Sequence, residues 1–343
     1  MNRFCGVCAA TSPVIATAEI AARASVKERG NGRIASKYGR VATFRDATDP
    51  ECAMLHVEPL PTATLVAIAG LFATVLALWV RPWWVLLAAL LVAEVAGFVS
   101  GILSGPAGIW ILGLATAVWS FRRTDAPWQR ALAFVVAAVM AGLLAAHAMS
   151  GFENPVVLRA VVLSSGAMSY TQYVNFDKTL AGVLVLAIGW WAPLRSARDW
   201  SKALRTTAPI AGATIAIVMA ASLALGFVRL DPHWTPLFWV WAPINLLLTC
   251  VSEEALFRGF LQRELGVALE GRAYAATTAV AVSALGFGLA HAAGGWRYVL
   301  LATLAGTGYA LAYQRTGRVE ASILAHFAVN ATHFLLFTYP ALA

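Results

Sequence analysis

"WVWAPINLLLTCVSEEALFR", residues 239–258, decides how the chain is read, because an apolar run of helix-forming character carries straight into two adjacent carboxylates and an arginine. Continued at about 3.6 residues per turn, the run sets Glu254 and Arg258 one turn apart on one face, and rotates Glu253 by about 100° from Glu254. The two carboxylates therefore face different neighbours. Alone, the pattern reads as a solvated face with an ordinary surface ion pair, which contributes little to stability. Whether the charges instead lie inside a membrane depends on the rest of the chain.

The rest is strongly apolar. Of 343 residues, 60% are hydrophobic and only 12% charged, against roughly 25% charged in a soluble domain; mean hydropathy is +0.71. A spanning helix needs about 20 mostly apolar residues. From Thr62 onward such runs follow one another near 62–80, 83–103, 107–121, 131–149, 179–194, 208–228, 237–256, 273–291, 298–314 and 319–337. Several are short, so eight to ten spans are expected in an all-α, polytopic transmembrane bundle. A barrel is excluded because the runs lack the alternation of barrel strands, and lipid admits only helices or closed barrels.

Loop charge suggests an orientation. Arg122, Arg123 and Arg130 share one loop, Arg195, Arg198, Lys202 and Arg205 a second, Arg258, Arg263 and Arg272 a third, and Arg315 and Arg318 a fourth. These alternate with poorer loops carrying Arg159 and Lys178, then Arg229, then Arg297. The richer set is expected in the cytoplasm, with the chain in the cell's inner membrane. Counting back from Arg122, however, puts the start of the first span outside, next to a tail (1–61) that holds 8 of the 25 Lys and Arg. Either the count is off by one near Gly105-Pro106, or translation starts at Met54.

The tail is polar and reads as disordered. Its Cys5 and Cys8 form a CxxC pair, but the only other cysteines are Cys52 and Cys250, so a zinc or redox role lacks partners. No apolar stretch follows a basic start, which argues against a cleaved signal peptide. A Walker loop, a GxGxxG after a strand and a basic-aromatic module are all missing, so no nucleic-acid partner is expected. The partners expected are the lipid bilayer and a membrane-associated protein or peptide.

Two further helices carry polar groups in the same C-terminal third. "FGLAH" sets Phe287 and His291 one turn apart, and "HFAVNATH" sets His326, Asn330 and His333 along one stripe. An ionisable group inside a span is a functional-site hypothesis by default, and three helices presenting such groups make a constellation. Its chemistry is hydrolytic. A carboxylate shielded from bulk water can act as general base to a water molecule while a histidine orients it. His326 and Asn330 can donate to a developing oxyanion, a contribution of about 3–4 kcal/mol per donor. Arg258 is expected to pair with Glu254, leaving Glu253 as the reactive carboxylate.

These residues resemble a known family. EEALFR (253–258), FGLAH (287–291) and HFAVN (326–330) are similar, in order and interval, to the EExxxR, FxxxH and HxxxN motifs of the CPBP family of CAAX-protease and bacteriocin-processing intramembrane proteases. The resemblance implies an endopeptidase core over 237–337, with 62–236 as preceding transmembrane helices. It implies Glu253 as the water-activating glutamate, His291 as its partner, His326 and Asn330 as the oxyanion-binding pair, and Glu254, Arg258 and Phe287 in support. His333 lies outside the motifs and is left structural.

Upstream, Tyr170 to Gly182, "YTQYVNFDKTLAG", resembles a stretch of the glutamic-type subgroup that accompanies bacterial C-terminal sorting signals; otherwise it reads as an external loop in which Asn175, Asp177 and Lys178 begin a helix, Asp177 acting as cap. No cofactor is expected. The alternative is a zinc protease using Glu253 or Glu254 with His291 and His326. A non-proteolytic immunity or scaffold protein is a third reading, although such a protein often loses motif residues that are all present here. A transporter would show an internal repeat with broken helices in both halves, and the first half has only Glu94 and His147 at span depth, in no repeated motif.

Overall fold

Ten helices and one β-hairpin are formed by residues 57–343, which the computed structural model describes apart from Arg81 and Trp190. In chain order they are α1 Thr62–Ala77, α2 Trp84–Ser100, α3 Gly105–Arg123, α4 Pro127–Ala145, β1 Val156–Val161, β2 Tyr170–Tyr173, α5 Phe176–Ile188, α6 Ala197–Ala224, α7 Phe238–Ala268, α8 Ala275–Leu289, α9 Gly295–Thr316 and α10 Val319–Leu336. Each apolar run read from the sequence becomes a helix, and the chain is a polytopic helical bundle. Four helices, α4, α6, α7 and α10, are individually long and apolar enough to cross a membrane. The segments Ala275–Leu289 and Ala292–Thr316, bent by 54° at their break, make a fifth if the pair is counted as one span, while α1 and α2 are shorter apolar helices.

The proline at the start of α3 explains one sequence ambiguity. Gly105 and Pro106 open that helix, where a missing N–H costs nothing because no intrahelical partner exists there. Three separate helices therefore precede the Arg122 loop. The cysteines of the tail, a start at Met54 and the disorder of residues 1–56 lie outside the described residues, but the disorder reading is corrected at the tail's end, where Val57 bridges Leu158 and Glu58 pairs with Arg159 at 2.6 Å.

Rich and poor loops sort to opposite ends of the bundle. At the basic end Arg122 donates to the carbonyls of Ile188 (2.9 Å) and Gly189 (3.2 Å), Arg318 to that of Ala192 (3.2 Å), and Arg130 pairs with Glu264 at 3.8 Å. At the other end Val57 bridges Leu158, Leu103 bridges Phe152 and Leu230 bridges Phe337. The hairpin lies at this second end. Its antiparallel register pairs Val156 with Tyr173 and Val161 with Tyr170, and Leu158, Val161 and Leu163 bury against Leu237 just before α7, Trp241 of α7 and Phe334 of α10.

Helix α5 runs through the centre. Nearly every residue from Phe176 to Leu186 is buried, as expected of a helix that is apolar all round and surrounded by others. By contrast α2 leaves Leu87, Leu91, Val95 and Val99 exposed, a face suited to lipid. The expected external loop over Tyr170–Gly182 is corrected here: it is a strand followed by the first two turns of α5. The capping role of Asp177 is corrected as well. Asn175 occupies the cap position, and the buried Asp177 carboxylate accepts instead from His147 Nδ1 (2.8 Å) and Asn154 Nδ2 (3.0 Å).

Candidate active site

The stretch that opened the sequence reading is the least regular part of α7. Residues Ile244–Cys250 and Ala255–Gln262 wind as π-helix on either side of the α-helical turn Val251–Glu254. Pro243 lies at the first transition, where its missing N–H removes one i to i−4 bond. Such wide turns recur at functional sites, and here they re-aim side chains. Cys250 Sγ donates to Asn245 Oδ1 at 3.4 Å across five residues, a spacing that π winding brings together.

Glu254 and Arg258 are not a solvated face. Both side chains are 0% exposed and their Oε1–Nη1 bond is 3.0 Å long, so the surface reading of this pair is overturned. Arg258 also leaves the set of loop arginines read from the sequence. Its Nη2 donates to the Gly306 carbonyl at 2.7 Å. Its guanidinium lies 4.8 Å from the Phe287 ring centre and 5.4 Å from that of Tyr309, distances at which a cation is attracted to a ring. Gly306 makes this possible, because a Cβ there would sit 3.1 Å from Phe287 and 3.3 Å from Arg258 Nη2.

His326 connects the two glutamates. Its Nδ1 is 2.8 Å from Glu254 Oε1, and its Nε2 is 3.9 Å from Glu253 Oε2. A carboxylate can only accept, so the proton on Nδ1 is assigned to the bond with Glu254. The ring is stacked on Tyr309 at 4.5 Å and meets Phe287 edge-on at 5.5 Å. The expectation that Glu253 and Glu254 face different neighbours holds for their cations, Lys178 and Arg258, but His326 is shared.

Glu253 is held from the other side by a residue the sequence reading left at a helix start. Lys178 Nζ donates to Glu253 Oε1 at 2.9 Å, across 75 residues of chain, and both side chains are 12% exposed. His291 sits at the α8–α9 break with Nδ1 2.7 Å from the Phe287 carbonyl, a bond that leaves Nε2 outward. Asn330, one turn beyond His326, donates from Nδ2 to Asn245 Oδ1 at 3.1 Å. His333 lies farther along, with Nε2 3.2 Å from the Thr338 carbonyl.

Thus the three motif helices meet as expected, and two residues outside the motifs join them. Asn245 had a signal in the sequence, a lone amide inside an apolar span. Lys178 had only its stretch. Among the described residues no group of three His, Cys, Asp or Glu side chains gathers to hold a metal, and an ammonium occupies Glu253 Oε1.

Fold and site together define a multi-pass helical membrane protein with a buried ionisable centre at the meeting of α5, α7, α8 and α10. Residues 234–332 match the family model described as type II CAAX prenyl endopeptidase Rce1-like, so the CPBP resemblance read from the three motifs is shown over that segment. The family supports intramembrane CAAX endopeptidase activity in general, and with it a membrane-associated protein substrate. No curated protein and no solved structure matches the chain. Lys178 and the stretch from Tyr170 to Gly182 lie outside the matched segment.

Proposed function

We propose that the chain is an intramembrane endopeptidase in which Glu253 activates the attacking water, with His326 and Asn330 receiving the oxyanion. The observation that carries this reading is the 3.9 Å separation of Glu253 Oε2 from His326 Nε2. That gap is too wide for a direct hydrogen bond and suits one water oxygen within reach of both atoms. His291, its Nδ1 anchored on a backbone carbonyl, offers Nε2 as a further orienting group.

In the reaction, Glu253 takes a proton from the water as its oxygen bonds to the scissile carbonyl carbon and the π pair moves to the carbonyl oxygen. Asn330 donates to that oxyanion through the Nδ2 hydrogen not used on Asn245. His326 donates through Nε2, its Nδ1 held by the Glu254 carboxylate. The oxyanion then collapses, the C–N bond breaks, and the leaving nitrogen takes the proton from Glu253. Carboxylic acid and amine products result, and the base is restored without a metal. Glu254, Arg258 and Phe287 hold His326 in place. The domain reading fits this scheme, with a core over 237–337 and preceding helices over 62–236 that contribute α5. The basic loop ends favour a cytoplasmic face there, and the cell's inner membrane is the proposed location.

The test uses purified protein in liposomes and two internally quenched peptides, one with a farnesylated CAAX tail and one with an unprenylated transmembrane tail. Glu253→Gln keeps the shape and removes the base, so cleavage should fall by about 10²-fold or more with yield unchanged. Cleavage by that variant at the wild-type rate overturns the mechanism. Wild-type protein that cleaves neither peptide nor any co-expressed membrane protein favours the immunity or scaffold reading.

A further inference from the structure

We propose that Lys178 is a positioning residue for the reaction, holding Glu253 as a carboxylate oriented towards His326. This inference rests on the reading of Glu253 as base. It extends the machinery to a helix that the family match does not include.

The first argument is charge. Within the buried cluster, Glu253 and Glu254 carry two negative charges, and Arg258 is already committed to Glu254 at 3.0 Å and to the Gly306 carbonyl at 2.7 Å. Among the described residues only Lys178, 2.9 Å away, offers Glu253 a cation at hydrogen-bond distance. A carboxylate this shielded from water and left without a partner neutralises itself by taking a proton, and a protonated Glu253 is no base. By occupying Oε1, Lys178 also leaves Oε2 as the oxygen turned to His326 Nε2.

The second argument is that the start of α5 is fixed on both sides of Lys178, before it by the connection after α4 and after it by α7. Asn154 Oδ1 accepts from the Phe176 backbone N–H at 2.8 Å. Asp177 is held from outside by His147 and Asn154. Thr179 Oγ1 donates to the Leu248 carbonyl at 3.4 Å. At Gly182 a Cβ would stand 2.6 Å from Ser252 Cα, so only glycine admits this approach. Side chains on both flanks of Lys178 thus fix the backbone that aims it. A surface lysine with a chance partner needs none of these contacts.

The experiment compares Lys178→Met and Lys178→Gln, which remove the charge, with Lys178→Arg, which keeps it, all in liposomes with the cleaved peptide of the preceding test. Both uncharged variants should lose about 10²-fold in kcat, as for loss of the base, with KM within about twofold, and the arginine variant should recover a substantial part of that loss. Infrared spectra should show a protonated carboxyl band in each uncharged variant that disappears when Glu253→Gln is added. This readout needs no substrate. Uncharged variants with wild-type kcat, or spectra without that band, overturn the inference while an inactive Glu253→Gln leaves the base reading standing. A fully active Glu253→Gln overturns both.

Discussion

Glu254 and His326 meet at 2.8 Å, 72 residues apart in sequence and both deep in the bundle. The contact joins the first motif helix to the third, and it gives Glu254 a second task beside Arg258. The same oxygen, Oε1, accepts from Arg258 Nη1 at 3.0 Å. One carboxylate therefore neutralises the arginine and orients the histidine.

Removing either side of this arrangement should cost stability as well as activity. Arg258→Ala leaves Glu254 a buried charge with its cation gone, a loss of about 3–5 kcal/mol, and Arg258→Lys should recover little because one ammonium cannot serve Glu254, Gly306 and two ring faces together. Glu254→Gln should destabilise in the same range by stranding the guanidinium. Thermal unfolding in detergent measures both. A double variant, Arg258→Met with Glu254→Leu, should recover part of the loss if the penalty comes from unpaired charge. No recovery would locate the penalty in packing against Phe287 and Tyr309 instead.

Much of this was legible in the sequence, for reasons that can be named. Apolar runs report helices because lipid admits little else, and ten runs gave ten helices. The spacing of Glu254 to Arg258 and of His326 to Asn330 reports a shared helix face, since i to i+4 is a local relation. What crosses between helices is not encoded in spacing. Lys178 and Glu253 lie 75 residues apart, and no local pattern marks them as partners. The π turns were equally hidden, because Ile244–Cys250 has an ordinary helical composition. The hairpin was missed because β1, VVLRAV, and β2, YTQY, sit in a long connection that the hydropathy reading treated as loop.

Two glycines offer a steric test. At Gly182 the Cβ of alanine would press on Ser252 Cα at 2.6 Å, whereas at Gly212 nothing lies within 4 Å. Gly182→Ala should push α5 off the glutamate turn, costing about 1–3 kcal/mol and lowering cleavage, while Gly212→Ala should match wild type in both. Equal melting temperatures for the two variants would mean that α5 has slack at this contact.

Asn245 should matter to the rate through Asn330. Asn245→Leu removes the acceptor that fixes the Asn330 amide at 3.1 Å and leaves a part-buried donor unsatisfied, a penalty of about 1–3 kcal/mol. If about 1.4 kcal/mol of that appears as lost oxyanion stabilisation, kcat falls roughly tenfold. The fall should be absent in an Asn330→Ala background, where no amide remains to orient. An equal fall in both backgrounds would assign Asn245 a structural role alone.

The last prediction concerns zinc. A catalytic zinc site takes three protein ligands and leaves a fourth position open, and Glu253, His291 and His326 are the residues the sequence offers. Their geometry works against it. Lys178 Nζ donates to Glu253 Oε1 at 2.9 Å, so a dication would share that carboxylate with an ammonium, and the two cations repel. The Nδ1 contacts of His326 with Glu254 and of His291 with a backbone carbonyl leave Nε2 of each ring available, as in a metal-bound histidine, so the repulsion at Glu253 alone disfavours the metal. Purified protein is therefore expected to hold less than one zinc per chain by elemental analysis, and cleavage should survive exhaustive chelation. Lys178→Met offers a sharper check, since removing the ammonium removes the repulsion: if zinc is the native cofactor, this variant should bind it more tightly and keep its activity. Stoichiometric metal, with activity lost on chelation and restored by zinc, would overturn the glutamate mechanism and make His291 and His326 ligands, leaving a glutamate as base to a metal-bound water.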